Sequence, residues 1–197
     1  THLQSVTVED GTKTLAGSIF SGCTALESIV IPDSVTYISF LAFKGCTSLN
    51  SVTLSRNTEE IYDWVFWNCT SLKRIDIPDS VKSIGKESFK NCTSLETVNI
   101  GSGTGYIASD AFSGCTAIKN FIVSADNGAF CSDNDKAVYT KDKTVLIIYP
   151  CGSEDESYTL LPETRVINYN AFSDCAALTE VLLNDGLETI CTEAFLN

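Results

Sequence analysis

Apolar residues recur along this chain with a beat that neither a helix nor a lone strand explains. The segments "CTALESIVI" from Cys23, "CTSLNSVTL" from Cys46, "CTSLKRIDI" from Cys69, "CTSLETVNI" from Cys92, "CTAIKNFIV" from Cys115 and "CAALTEVLL" from Cys175 share one order of apolar and polar positions. The first five of these cysteines stand 23 residues apart, and a fixed period of that length marks stacked repeats. Phe20, Phe43, Phe66, Phe89, Phe112, Phe172 and Phe195 keep the same beat, each three residues before a cysteine position. The spacing predicts seven units: 1–22, 23–45, 46–68, 69–91, 92–114, an expanded unit 115–174, and 175–197. The expanded unit is expected to carry an inserted β-hairpin at about 124–157, with legs at Ala137 to Tyr139 and Val145 to Tyr149 around a turn at Lys141 to Thr144.

Within a unit the pattern predicts one coil of a solenoid. Leu26, Ile29 and Ile31 form an LxxIxI arrangement whose period-2 pair faces inward as in a short strand. Pro32 and Asp33 end that strand, since proline cannot donate to a ladder. A second, short or irregular leg runs through Val35 and Ile38 to the Ala42-Phe43 corner. The unit closes on a column of Gly22, Gly45, Asn68, Asn91, Gly114, Asp174 and Asn197, residue types that tolerate left-handed backbone angles. One coil cannot bury both of its faces, so stability requires stacking. The expected fold is a mostly β leucine-rich repeat solenoid, with one short parallel strand per coil and one inserted hairpin.

The repeated CTSLxxVxI and AFxGC segments, together with the insertion "DNDKAVYTKDKTVLIIYPCG", resemble the BspA-like leucine-rich repeat family of bacterial surface proteins. The resemblance covers essentially the whole chain. It implies an extracellular or cell-surface location, adhesion to host or neighbouring-cell molecules, and no catalytic residues.

The cysteines admit disulfide, metal, nucleophile and plain packing readings. Cysteines in register along parallel rungs are about 4.8 Å apart and point the same way, whereas a disulfide needs Cβ atoms about 3.5–4.5 Å apart with crossed vectors. Packing is therefore expected for Cys23, Cys46, Cys69, Cys92, Cys115 and Cys175, small and weakly polar side chains in a crowded corner. Cys131 and Cys151 flank the predicted hairpin and are the pair placed for a possible bond, two free thiols being the alternative. No CxxC occurs and His2 is the lone histidine, so no metal ligation by cysteine is expected.

Chemistry is otherwise sparse. "GSGTG" at 101–105 lacks the GK[ST] ending of a phosphate loop and occupies the turn where other units have "PDSV", which predicts a flexible corner. Asp126, Asp133, Asp135 and Asp142 in the insertion lack the glycine and the bidentate glutamate of a calcium loop, so solvated acids are the default reading. No nucleophile–base pair or cofactor motif is present, and neither an enzyme nor a cofactor is expected. The formal charge of −12 repels nucleic acid and anionic lipid, and no apolar run is long enough to span a bilayer.

What the repeat does not require is a set of aromatic residues. Trp64 and Trp67, within "IYDWVFWNCT", fall in mostly polar columns that should face solvent, and Tyr62 aligns with Ser39 and Gly85. The preceding unit adds Tyr37, Phe40 and Leu41, where a later unit has Ser83, Lys86 and Glu87. Exposed aromatic patches commonly mark interaction sites, so these six residues are the candidate contact for a protein or glycan partner; local packing over the turns and self-association are the competing readings. A second candidate is the outward sheet face of Ser28, Val30, Ser51, Thr53, Arg74, Asp76, Thr97, Asn99, Asn120 and Ile122, because solenoids often bind through extended faces. A structural spacer in a larger surface protein is the alternative function. Neither end has a polar cap, so the parent array is expected to continue both ways, and the cut faces could pair with another copy.

Overall fold

A computed structural model describes residues 2–196. The chain winds into a β-solenoid of about eight coils, with no helix among the described residues. First-leg strands pair in parallel register 23 residues apart within three sets of neighbouring coils. Ser28–Val30 pairs with Ser51–Thr53, and Arg74–Ile77 and Asn120–Val123 flank Thr97–Ile100. The second leg, expected to be short or irregular, is short and forms two-residue parallel strands: Thr14–Leu15 with Tyr37–Ile38, and Glu60–Ile61, Ser83–Ile84 and Tyr106–Ile107 side by side. A coil therefore carries two strands rather than one.

The corner after the second leg explains the two strictest columns. Phe20, Phe43, Phe66, Phe89 and Phe112 stack ring on ring at centroid distances of 5.1–5.3 Å. Three residues on, each buried thiol donates to the carbonyl of the phenylalanine one coil back: Cys46 to Phe20 at 3.1 Å, Cys69 to Phe43 and Cys92 to Phe66 at 3.2 Å, and Cys115 to Phe89 at 2.9 Å. A small side chain with one weak donor suits a site where a carbonyl would otherwise have only its own coil's amide. Packing, as expected, is what these thiols do. Burial pushes the Cys46 thiol up to about 12 and raises Cys69 and Cys92 as well.

The closing column has positive φ at Gly22, Gly45, Asn68, Asn91, Gly114 and Asp174, as its composition implies; Asn197 lies outside the described residues. A second left-handed column was not legible. Ser18, Leu41, Trp64, Glu87, Asn170 and Glu193 all have φ of 49–61°, so six unlike residues share that backbone, while Asp110 in the same column does not adopt it. The "GSGTG" corner is tight rather than flexible: a Cβ on Gly103 would collide with the Asp79 carbonyl oxygen, and one on Gly101 with the backbone of Pro78.

The expanded unit differs most from expectation. It holds two coils, 115–151 and 152–174. Ser157–Thr159 is a first leg paired with Glu180–Leu182, and Val166–Ile167 is a second leg paired with Thr189–Ile190, both at the ordinary 23-residue offset. The coil starting at Gly152 escapes sequence comparison because glycine replaces its cysteine, Asp155 its leucine and Tyr158 its isoleucine. Gly152 is there for closeness: its N–H donates to the Ile118 carbonyl at 2.7 Å, and a Cβ would strike the Ala117 backbone. The insertion is correspondingly shorter than 124–157 and has three antiparallel strands, Phe130–Asp133, Ala137–Thr140 and Val145–Ile148. The last two are the predicted hairpin legs, and the third strand doubles as a second leg, pairing in parallel with Val166–Ile167.

This meander divides the interior. The middle strand is buried at Ala137, Val138 and Tyr139, with Val138 in one apolar cluster that runs back to Leu15, and Ala137 and Tyr139 in another that runs forward to Ala194. Near the division Cys151 is bonded to Cys175, while Cys131 is a free thiol. The expected Cys131–Cys151 pairing is thus replaced by one that uses a column cysteine. Gly152 occupies the column position, which sets Cys151 one residue off register and lets its sulfur approach Cys175 from the side.

Candidate functional site

The six off-template residues lie on the second-leg side of two adjacent coils. Tyr37 ends up 37 % exposed in its two-residue strand, and its ring meets that of Tyr62 at 4.9 Å. Burial, with the Glu60 carboxylate nearby, pushes the Tyr62 phenol up to about 12. Phe40 is 51 % exposed and leans over Gly17 of the coil before it. Leu41 is half-buried.

The tryptophans are less open than their polar columns suggest. Trp64 is half-buried in the left-handed column, and its indole N–H donates to Glu87 of the next coil at 3.1 Å. Lys90, 2.8 Å from Glu87, and then the Trp64 indole hold that carboxyl below its usual range, against an opposing effect of burial. Trp67 is also half-buried; Lys44 sits over its ring at 4.2 Å, a cation–π contact, and its indole nitrogen is enclosed without a hydrogen-bond partner. Both rings therefore fold back on neighbouring coils, and the open apolar surface of the cluster belongs to Phe40 and Tyr37.

Sequence reasoning missed two further rings on this side. Tyr106 and Tyr169 are at least half exposed. Tyr106 shares the Tyr37 column and Tyr169 the Phe40 column, a signal available from the repeat once the coil at 152–174 is recognised.

The sheet face is formed as expected, with the outward columns in register. Ser28, Ser51, Thr53, Arg74 and Asp76 are exposed, Thr97, Asn99 and Asn120 are half-buried, and Val30 and Ile122 are its open apolar members. Arg74 pairs with Asp76 at 2.9 Å, and Asn99 donates to Asp76 across the rungs. The face is polar and partly self-satisfied.

The acids of the insertion serve local structure. Asp142 accepts from Thr140 and Thr144 within its own turn, and Asp133 accepts from the Tyr158 hydroxyl, while Asp126 and Asp135 are exposed. Among the described residues no group of three or more His, Cys, Asp or Glu is arranged to hold a metal ion, and no helix is long and apolar enough to cross a membrane.

The family model described as BspA type leucine-rich repeat region matches six copies over residues 1–134 and 151–197. Among solved structures the chain resembles a leucine-rich repeat protein from Eubacterium ventriosum, with TM-score 0.87, 23% identity, and 95% of this chain matched to 50% of that one. It also resembles the pneumococcal vaccine antigen PcpA, with TM-score 0.69, 25% identity and coverage of 90% and 52%. A leucine-rich cell surface protein from Faecalibacterium prausnitzii matches with TM-score 0.55, 24% identity and coverage of 93% and 62%. The chain spans about half the length of the first two. No curated protein matches it.

Proposed function

The chain belongs to the BspA-type leucine-rich repeat family, and on that premise we propose that it is a non-enzymatic recognition segment of a bacterial cell-surface or secreted protein. It holds a protein or glycan partner on its second-leg side, around Tyr37 and Phe40. The carrying observation is that these two rings stand open on one coil, 23–45, in columns where the repeat needs no ring. Rigid aromatic side chains offer large contact area at small entropic cost, which is why they dominate binding energetics. Tyr62, Trp64 and Trp67 serve as backing, held by Glu60, Glu87 and Lys44. The cell-surface protein from F. prausnitzii and the pneumococcal antigen support the location.

A glycan and matrix-protein array tests this with wild type, a Tyr37→Ala/Phe40→Ala variant and a Trp64→Ala/Trp67→Ala variant. The first pair is expected to weaken binding at least about ten-fold, roughly 1.4 kcal/mol; the tryptophan pair acts more weakly, through the backing. Binding unaltered in both variants defeats the proposal. One observation favours a spacer instead: both tryptophan rings pack back on their own array. A spacer gives no array signal at all.

A further inference from the structure

We infer that the Cys151–Cys175 disulfide is a redox-sensitive fastening that holds the coils after residue 151 onto the rest of the solenoid, and that its reduction lets those coils open as a unit. The inference concerns the molecule's integrity and stands independently of what it binds.

Elsewhere in the array coils are joined by two strand ladders, a ring column and a thiol-to-carbonyl series. The ladders have one other gap each, between Ser51–Thr53 and Arg74–Ile77 and between Tyr37–Ile38 and Glu60–Ile61, which the rings and thiols bridge. All four features stop at the meander. The first-leg ladder ends at Asn120–Val123 and restarts at Ser157–Thr159, which pairs only with Glu180–Leu182. The second-leg ladder ends at Tyr106–Ile107 and restarts inside the meander. In the ring column, Phe112 meets Phe121 edge-on at 5.4 Å instead of stacking on the next coil, and the column resumes with Tyr149 on Phe172. The thiol-to-carbonyl series ends at Cys115. A cavity of about 20 Å³, lined by Phe112, Cys115, Ile118, Phe121, Tyr149 and Cys151 among others, marks the imperfect join.

Between the coils before the meander and those after residue 151 the direct polar contacts are isolated ones. Gly152 N–H donates to Ile118, Gly114 N–H donates to Asp174 at 3.2 Å, and Lys119 lies 3.8 Å from Glu154. The rest of the attachment runs through the meander: Val145 and Leu146 pair with Val166 and Ile167, Tyr149 meets Phe172, and Tyr158 bonds to Tyr139 and Asp133. The core beyond the join is small, and it draws Ala137, Tyr139, Leu146 and Tyr149 from the meander. Against this background the disulfide encloses all of coil 152–174 in a covalent loop with a sequence separation of 24, restricting the opened states available to that coil. Local opening follows the weakest set of contacts, and opening beyond residue 151 has to break the two-residue pairing of Val145 and Leu146 with Val166 and Ile167, the Tyr158 hydrogen bonds and the ring contact of Tyr149. The meander is anchored in the first cluster through Phe130 and Val138, while its Ala137, Tyr139, Leu146 and Tyr149 pack in the second. A dithiol reductant supplies two electrons and two protons, producing the Cys151 and Cys175 thiols and leaving as its own disulfide.

Hydrogen exchange read by mass spectrometry tests this on the whole chain, purified without reductant and compared with and without dithiothreitol. Peptides from 152–196 are expected to exchange roughly ten-fold faster on reduction, while those from 28–123 change less than about two-fold. Reoxidation restores the first pattern. A Cys151→Ser/Cys175→Ser variant reproduces the reduced pattern and ignores dithiothreitol; should it fail to fold, the wild-type comparison decides alone. The inference is overturned by unchanged exchange, by equal acceleration along the whole chain, or by peptide mapping that finds the two thiols free before reduction.

Discussion

The two sides of the meander are built from the same repeat and hold together differently. Before it, every coil offers the next a ring to stack on and a carbonyl for its thiol, so coils 23–114 form one apolar interior. After it, the corresponding positions carry Tyr149, Asp155 and Tyr158 in place of phenylalanine, leucine and isoleucine. A polar network does the joining there. The Tyr139 and Tyr158 hydroxyls lie 2.8 Å apart and Tyr158 reaches Asp133 at 3.1 Å, while Asp155 pairs with Lys136 at 2.5 Å and accepts from Ser153 at 2.6 Å. Repetition makes apolar contact cumulative, and an interruption of the repeat has to be closed by specific hydrogen bonds and a covalent link.

The sharpest way to break this contrast is to remove one ring from the regular side. Phe66→Ala is expected to cost about 3–5 kcal/mol, a fall in Tm on the order of 10 °C by calorimetry. Phe195→Ala, at a ring 41 % exposed, should cost far less. Equal losses would mean that a ring inside the regular column contributes no more than the terminal ring stacked on Phe172. Next in size, Cys92→Ala removes a donor from the Phe66 carbonyl and leaves a small void, for about 1–3 kcal/mol by denaturant unfolding. A neutral result would reduce the thiol series to filler.

On the irregular side, Tyr158→Phe deprives both Tyr139 and Asp133 of a partner, and a loss of about 1–2 kcal/mol is expected. Accelerated exchange should be confined to residues after 130; a uniform response along the chain would show that the two clusters act as one. Smaller still is the pH effect. Lys136 and then Ser153 hold the Asp155 carboxyl below its usual range, so the stabilisation is complete above the unfolded value, about 3.9, and is lost as pH falls through the lower folded value. Exchange of residues 152–175 should rise first on acidification, and Asp155→Asn should abolish that difference. Finally, burial that raises Cys46, Cys69 and Cys92 predicts that a maleimide at pH 8 leaves them unlabelled in the native protein, since the thiolate is the reacting species. Labelling there at the rate of a denatured control would refute the packing described.

Much of this was legible in advance, because a period of 23 residues fixes which side chains share a column, and a column shares one environment. Phenylalanine, cysteine and the left-handed closing residues could each be placed that way. The coil at 152–174 was hidden because the substitutions that suit the join also erase the residues by which a coil is counted; only Phe172 and Cys175 kept the phase. The disulfide was misplaced for the same reason, since Cys151 looked like part of a hairpin instead of the entry to a coil. For Trp64 and Trp67, column polarity indicated where the backbone faces, but not that a large ring there would find Glu87 or Lys44 to lie against.

The thiol bonds have a direction. Each of these four sulfurs reaches for an oxygen on the coil behind it, so a finished coil of the regular side presents a waiting acceptor toward the C-terminal end. Emergence from a ribosome proceeds in that same sense, and every newly made turn meets a surface already set to receive it. An array written this way can lengthen or shorten by whole modules over evolutionary time, provided that no insertion such as the meander falls between a sulfur and its oxygen.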